Sequence, residues 1–136
     1  MKRRFKLKIK GESPRSLFLA FVLAHYNCEV YLYNFTKNNP NNYEQIFSFS
    51  NFSKDLLIKF NIWNEFKDIS YAFNSLYIKD NLVSEKLLIS TENNLNTLGW
   101  TAKYSDIKAL LIKKLNNFDN VNFISKDQFI DESLNF

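Results

Sequence analysis

Residues 5–33 read FKLKIK-GESP-RSLFLAFVLAHY-NC-EVYLY, and this order of patterns is typical of a βαβ unit. Phe5–Lys10 alternates apolar and polar residues, as a half-buried strand does. Gly11–Pro14 interrupts the alternation. Pro14 suits the first turn of a helix, where the N–H that it lacks would have no intrahelical partner. The chain is therefore predicted to leave a strand and enter a helix through a tight turn.

The predicted helix runs from Arg15 to Tyr26. Its apolar residues recur at the spacing of one helix face, at Leu17, Ala20, Phe21 and Ala24. Asn27 is expected to end the helix, because Asn tolerates the left-handed backbone found at helix C-termini. Glu29–Tyr33 is then predicted to form a second strand parallel to the first. These patterns predict the α/β fold class, with a Rossmann-like βαβ start.

The turn at residues 11–16 is where a domain of this kind carries its chemistry. Dinucleotide-binding turns follow the pattern G-x-G-x-x-G: one Gly makes the turn, the next admits the pyrophosphate, and the last lets helix and strand pack. In this chain the three positions are Gly11, Ser13 and Ser16. Ser13 places a Cβ where a phosphate would approach, and Ser16 adds bulk at the helix–strand contact.

Charged and polar residues around the turn also bear on nucleotide binding. Glu12 puts a negative charge near the anion position, and Arg15 is expected to offset it in part. The positive end of the helix dipole remains. Asn34 stands at the end of the second strand, where an acidic residue normally bonds the ribose. The turn alone leaves two interpretations open, a weak nucleotide site or a βα turn without a ligand.

The rest of the chain is predicted to complete a small, mostly parallel sheet flanked by helices. Ser53 and Ser105 are each predicted to cap a helix. The inward residues of these helices are Leu56, Leu57 and Phe60 in the first, and Ile107, Leu110, Leu111 and Leu115 in the second. Alternating or apolar stretches predict strands at residues 73–79, 87–90 and 121–124.

The chain of 136 residues has a net charge of +4, with much of the excess near its start. The basic residues there are Lys2, Arg3, Arg4, Lys6, Lys8 and Lys10. We interpret them as a solubilising face on an edge strand, with binding of nucleic acid or anionic lipid as the weaker alternative. No run approaches the ~20 apolar residues of a membrane span. A cytoplasmic protein is expected, with peripheral membrane attachment as an alternative.

No group of residues predicts catalysis or metal binding. His25 is the only His and lies on the first helix, which disfavours a His-based triad or a zinc site. Cys28 is the only Cys, so no disulfide forms within the chain. The other candidates are interpreted as solvated acids (Asp55, Glu65, Asp68, Asp80) and packing aromatics (Trp63, Trp100).

Four segments, taken in order, carry a family resemblance. They are Ile9-Lys-Gly-Glu-Ser-Pro-Arg-Ser-Leu17; residues 48–54 leading to Phe60-Asn-Ile-Trp63; residues 73–80; and Leu98-Gly-Trp100 with residues 105–111. Together they resemble the ubiquinone-biosynthesis hydroxylases, a branch of the flavin monooxygenases with the para-hydroxybenzoate hydroxylase fold. The order and spacing agree over almost the whole chain.

The resemblance implies a degenerate FAD-binding-like domain over residues 1–125, truncated relative to the family, and a polar tail over residues 126–136. The positions that would meet FAD are Gly11, Ser13, Pro14, Arg15, Ser16, Asn34 and Gln45. Pro14 matches a Pro that often follows the second Gly of the family motif. Gln45 replaces an Arg that contacts the flavin nucleotide, and Asn61 replaces a Gly. The family's later Asp-Gly and Gly-Asp motifs have no counterpart in this sequence.

From the resemblance we expect a protein without catalysis of its own and without a metal, acting as a pseudoenzyme or helper in quinone metabolism. The alternatives are a weak FAD- or ADP-binding module and one half of a split flavin hydroxylase. The corresponding partners are a protein of quinone metabolism or a missing C-terminal half. Self-association through apolar surface is a further expectation.

Overall fold

The computed structural model of the protein describes residues 5–33, 44–79, 86–91 and 96–124. The elements found there follow one another as β1 (Lys6–Lys10), α1 (Pro14–His25), β2 (Glu29–Tyr33), β3 (Ile46–Ser50), α2 (Asn51–Lys59), α3 (Trp63–Asp68), β4 (Ser70–Phe73), β5 (Ser75–Lys79), β6 (Lys86–Ser90), β7 (Gly99–Lys103), α4 (Tyr104–Leu115) and β8 (Val121–Ile124). The chain divides into two units, Met1–Glu44 with Ser105–Phe136, and Gln45–Tyr104. The expectations for Asn34 and for residues 126–136 lie outside the described residues.

The first unit contains a parallel three-stranded sheet in the order β1-β2-β8. β1 pairs with β2 from Lys6 opposite Glu29 to Lys10 opposite Tyr33. β2 in turn pairs with β8 from Val30 opposite Val121 onwards. The predicted βαβ unit and the α/β fold class are confirmed.

Helix α1 buries the apolar face that its spacing predicts. Leu17, Ala20, Phe21 and Ala24 are at most 4% exposed, and α1 packs on both β1 and β2. The apolar residues Ile107, Leu111 and Leu115 of α4 are also buried, four positions apart. Fully burying one such large aliphatic side chain contributes about 1.5–3 kcal/mol. The core of this unit therefore comes from one stripe on each helix and the apolar residues of β2.

Two Asn residues adopt the left-handed backbone conformation that Gly usually adopts after a helix C-terminus. Asn27 has a φ of 61°, and the N–H groups of Asn27 and Cys28 donate to the carbonyls of Ala24 and Leu23. Asn61 has a φ of 54° and repeats this arrangement after α2. Both ends are Schellman motifs, which satisfy carbonyls that the helix leaves without a partner. The predicted stop at Asn27 is confirmed.

The predicted helix starts at Ser53 and Ser105 are wrong. Helix α2 begins at Asn51 and is capped by Ser50, whose Oγ accepts a hydrogen bond from the Ser53 N–H. Ser53 lies at the third helical position, which is where a capping hydroxyl finds its donor. Helix α4 begins at Tyr104, so Ser105 lies inside its first turn.

The second unit contains an antiparallel sheet in the order β3-β7-β4, with Trp100 and Ala102 of its central strand buried. The strands β3 and β7 were not predicted from the sequence. One strand was predicted over 73–79, whereas β4 ends at Phe73 and β5 begins at Ser75. β5 and β6 overlap the strands predicted at 73–79 and 87–90, and they pair with each other as a separate two-stranded hairpin.

Gly99 allows the three strands of this sheet to approach closely. A Cβ built on Gly99 would lie 2.5 Å from the Phe49 carbonyl oxygen and 2.8 Å from the Phe73 ring. Real Cβ atoms do not come so close to backbone oxygen, so even Ala would force the strands apart. The sheet therefore needs a residue without a side chain at position 99, and the close packing of the strands is enough to explain why Gly stands there.

No helix among the described residues is long and apolar enough to cross a membrane.

Asn120 links the end of α1 to the sheet of the first unit, and its loss should destabilise that unit. The side chain is 8% exposed, and its Nδ2 donates to the carbonyls of Ala24 (3.0 Å) and Cys28 (2.6 Å). Asn120→Ala should lower the free energy of unfolding by about 1–3 kcal/mol, because both carbonyls lose a donor away from water. Urea unfolding followed by circular dichroism measures this change.

The matched control for Asn120 is Asn117→Ala, a change at an exposed Asn in the same turn. It should change the free energy of unfolding by less than about 0.5 kcal/mol. Equal effects of the two substitutions would contradict the structural role assigned to Asn120.

Candidate functional site

The turn between β1 and α1 is built around the Gly11 backbone. Gly11 has a φ of 113°, a conformation that residues with a side chain rarely adopt. Its N–H donates to the Tyr33 carbonyl oxygen at 2.8 Å, which ties the turn to the end of β2. The first position of the dinucleotide motif thus keeps the geometry that the motif requires.

Ser13 closes the start of α1 with its own side chain. It is the N-cap residue, with extended backbone angles, and its Oγ accepts from the Ser16 N–H at 3.2 Å. Its carbonyl oxygen accepts from the Leu17 N–H at 3.0 Å. The Ser13 and Ser16 hydroxyls are also hydrogen-bonded to each other, at 3.0 Å. The second and third motif positions therefore bind one another at the place where a phosphate would bind.

The helix start consequently has few backbone donors to give an anion. Pro14, the first helical residue, is buried and has no N–H. The Ser16 N–H is taken by the Ser13 hydroxyl, and the Leu17 N–H makes the ordinary first bond of the helix, to the Ser13 carbonyl oxygen. Among the described residues this leaves the N–H of Arg15 as the donor of the first turn without an acceptor in the structure. Phosphate-binding helix starts normally present several such donors together.

The charge of Glu12 lies beside this turn, and its ion-pair partner is Lys108 of α4. The Glu12 side chain is 14% exposed and the Lys108 side chain 32%, so both are partly shielded from water. From the sequence, Arg15 was expected to offset the charge of Glu12 in part. In the structure the ion pair with Glu12 is made by Lys108, a residue 96 positions away. The one signal in the sequence for this ion pair is the position of Lys108 in the first half of an amphipathic helix.

The other predicted site residues are Arg15, Gln45 and Asn34. Arg15 is exposed at the helix start. Gln45 belongs to the second unit, where it is exposed and its carbonyl oxygen accepts from the Tyr104 N–H at 2.7 Å. Asn34 lies outside the described residues.

Two tryptophans in the second unit, Trp63 and Trp100, both contact the side chain of Lys54. The Lys54 ammonium lies 5.5 Å from the ring centre of Trp63 and 5.2 Å from that of Trp100. The two indoles meet edge to face at 4.9 Å. Such cation–π contacts contribute about 0.5–2 kcal/mol. Lys54 occupies the place that a bound cation would take, and this cluster is best explained as packing.

No group of three or more metal-ligating side chains is found within the described ranges. The residues of the turn also fit the pyrophosphate of FAD poorly. A dinucleotide site needs a close backbone approach and a set of donors, whereas this turn has a serine hydroxyl and a carboxylate at that place.

No protein-family model matches the chain, and no curated protein is similar to it. Solved structures do match. Over 90% of this chain the structure resembles PqsL, a probable FAD-dependent monooxygenase from Pseudomonas aeruginosa, with a TM-score of 0.69 and 10% identity. Over 92% it resembles the p-nitrophenol 4-monooxygenase PnpA from Pseudomonas putida DLL-E4, with a TM-score of 0.66 and 11% identity.

A third neighbour is the flavin-dependent monooxygenase PieE, solved in complex with FAD and substrate, with a TM-score of 0.64 and 11% identity over 91% of this chain. The chain spans 33% of the PqsL chain, 31% of PnpA and 24% of PieE. At such identities the likeness concerns the fold alone. The chain therefore has the fold of part of the FAD-dependent monooxygenases, over about a quarter to a third of their length.

Proposed function

We propose that this protein is a non-catalytic relative of the FAD-dependent monooxygenases, one that keeps their fold but has closed its dinucleotide turn. The observation that carries the proposal is the self-capped start of α1. Ser13 takes the Ser16 N–H and bonds the Ser16 hydroxyl, and Glu12, the residue before Ser13, pairs its carboxylate with Lys108. An incoming phosphate would have to displace these contacts and would meet a like charge.

Energetics favour the closed turn over a bound pyrophosphate. A serine N-cap contributes about 0.5–2 kcal/mol to helix stability, and this would be lost if the hydroxyl turned away. Lys108 could neutralise a phosphate only by leaving Glu12, which would then remain a partly shielded charge without this partner. Flavin chemistry depends on a protein that holds the cofactor in place. Without that hold, catalysis by this chain alone is not expected.

The helper role in quinone metabolism rests on the sequence resemblance to the ubiquinone-biosynthesis hydroxylases. A protein with the fold of an enzyme and no cofactor site can still act by binding another protein. The expected partner is an enzyme of quinone metabolism.

Weak binding of ADP or FAD is the second candidate function. Gly11 retains the positive φ of the motif, and α1 is twelve residues long, so the positive end of its dipole still faces the turn. This residual attraction favours a low affinity over none. The two candidates differ in affinity and are separated by titration.

Calorimetry and flavin fluorescence can monitor a titration of the protein with FAD and with ADP. Neither ligand should show saturable binding up to high micromolar concentration. Glu12→Gln/Ser13→Gly should bind at least about tenfold more tightly, because it removes the like charge and frees both the Ser16 N–H and Lys108. Gly costs only a few tenths of a kcal/mol at an N-cap, so the variant should still fold.

The control for this titration is Ser50→Gly, which removes the same type of cap from α2 in the second unit. Ser50→Gly should show no saturable binding of FAD or ADP, like the unaltered protein. Low-micromolar binding by the unaltered protein, weakened by Ser13→Trp, would replace the first proposal with the nucleotide-binding module.

Affinity purification of the tagged chain tests the helper role separately. An enzyme of quinone metabolism should be retained at levels well above those seen with an unrelated tagged protein. If repeated purifications retain no such enzyme, the role in quinone metabolism is wrong even where FAD binding is absent.

A further inference from the structure

Lysines follow one face of β1, the first strand of the parallel sheet in the first unit. Side chains alternate between the two faces of a strand, so Lys6, Lys8 and Lys10 lie on the same side of the sheet. All three are exposed. Ile9 lies on the other side and is buried. The lysines therefore project from the face opposite the apolar side of the sheet.

The register of the sheet places two tyrosines of β2 beside these lysines. Lys8 lies opposite Tyr31, and Lys10 lies opposite Tyr33. The ammonium of Lys6 is 6.0 Å from the ring centre of Tyr31. The ammonium of Lys8 is 5.8 Å from the ring centre of Tyr33. Cations and aromatic rings are thus mixed on this face, which we call the lysine–tyrosine face.

The two tyrosines differ in what they can offer a ligand. Tyr33 is 1% exposed, so its ring is not accessible. Tyr31 is half-buried, and its hydroxyl donates to Glu29 Oε1 at 2.6 Å. Glu29 is the acid that β2 contributes to this face, and it lies opposite Lys6, at the start of the two strands. The end of β1 that carries Lys8 and Lys10 is therefore the more cationic one.

We infer that the lysine–tyrosine face binds single-stranded nucleic acid without sequence preference. Lysines at every second position of a strand recur at about 6.6 Å, which is comparable to the separation of successive phosphates on an extended single strand. A row of cations along the phosphates and an aromatic ring under a base are the general means of holding such a strand. In this assignment the three lysines meet phosphates, and Tyr31 meets a base.

The sequence before β1 adds to the positive charge at this place. Six of the first ten residues are Lys or Arg, and the chain as a whole has a net charge of +4. Charge on an edge strand is enough to explain solubility. A solubilising role does not call for tyrosines among the lysines, and it is this arrangement that favours a ligand.

The same geometry argues against two other anionic partners. Binding to anionic lipid combines basic residues with apolar residues that enter the membrane interface. The apolar residues of β1, Leu7 and Ile9, lie on the opposite side of the sheet from the lysines. Duplex DNA keeps its bases stacked inside and is normally read by an element that enters a groove. A half-buried ring on a sheet has no base of a duplex to contact.

Fluorescence anisotropy with a labelled oligothymidylate of about 12 nucleotides tests this inference on the full chain. Micromolar binding is expected at low salt. The logarithm of the binding constant should fall with the logarithm of the salt concentration with a slope of about −2, as three phosphate contacts to a single strand require. A duplex of the same length should bind at least about threefold more weakly. Polyglutamate, which has charge but no bases, should compete at least about tenfold less well than unlabelled oligothymidylate.

Variants assign the binding to this face. Lys8→Gln/Lys10→Gln should weaken it at least about tenfold and make the salt slope shallower by about 1. The matched control is Lys113→Gln/Lys114→Gln, which removes the same charge from the last turn of α4 and should bind like the unaltered protein. Tyr31→Leu should weaken binding about threefold or more with the salt slope unchanged, whereas Tyr31→Phe keeps the ring and should bind normally. Circular dichroism checks that each variant is folded.

Four results would overturn the inference. The oligothymidylate could fail to bind at low salt. The two lysine pairs could weaken binding equally, which would show an effect of net charge alone. Polyglutamate could compete as well as the oligothymidylate, which would assign the face to an acidic protein segment. Finally, the protein could float with phosphatidylglycerol vesicles and not bind the oligothymidylate, which would assign the face to lipid.

Discussion

The hydrogen bond from the Gly11 N–H to the Tyr33 carbonyl oxygen, at 2.8 Å, holds the first unit in the form that all else depends on. It joins the turn after β1 to the end of β2 at Gly11, whose φ of 113° a residue with a side chain rarely adopts. With the turn held there, Pro14 begins α1 directly and Ser13 becomes its cap. The self-capped start of α1 follows from these constraints, taken in that order.

In the proposed function, the contacts that complete the helix start are also the ones that exclude a phosphate. A dinucleotide turn leaves backbone donors without partners until the phosphate arrives, and that is costly for a protein that never binds one. Here a serine hydroxyl and an ion pair to Lys108 fill the same place. Under the proposed function, loss of cofactor binding and gain of local stability would be two results of the same residues.

The sequence predicted the parts of the fold that depend on local patterns. The alternation in β1, the apolar stripe of α1 and the left-handed Asn27 each follow from the periodicity or backbone preference of neighbouring residues. Two features were not predicted because they depend on distant partners. Lys108 meets Glu12 only when α4 is in place, and Gly99 is explained only by the strands on either side of it.

The errors in the prediction also have a physical origin. Serine occurs at 50 and at 53, and a capping hydroxyl and its donor are three residues apart, so the sequence offers two registers for the start of α2. β3 reads IFSFS, a strand alternation that ends in the capping serine itself. At the candidate site the sequence indicated which motif positions depart from glycine. The hydrogen bonds between Ser13 and Ser16 could be seen only in the structure.

The central claim is that the start of α1 is closed to phosphate by its own side chains. Two-dimensional ¹H–¹⁵N NMR during titration with ADP tests it at the individual amides. We predict that the Ser16 amide resonance keeps its position up to millimolar ADP, because the Ser16 N–H stays bonded to the Ser13 hydroxyl. A saturable shift of the amides from Gly11 to Leu17 would show that the turn opens to phosphate, and would contradict the claim.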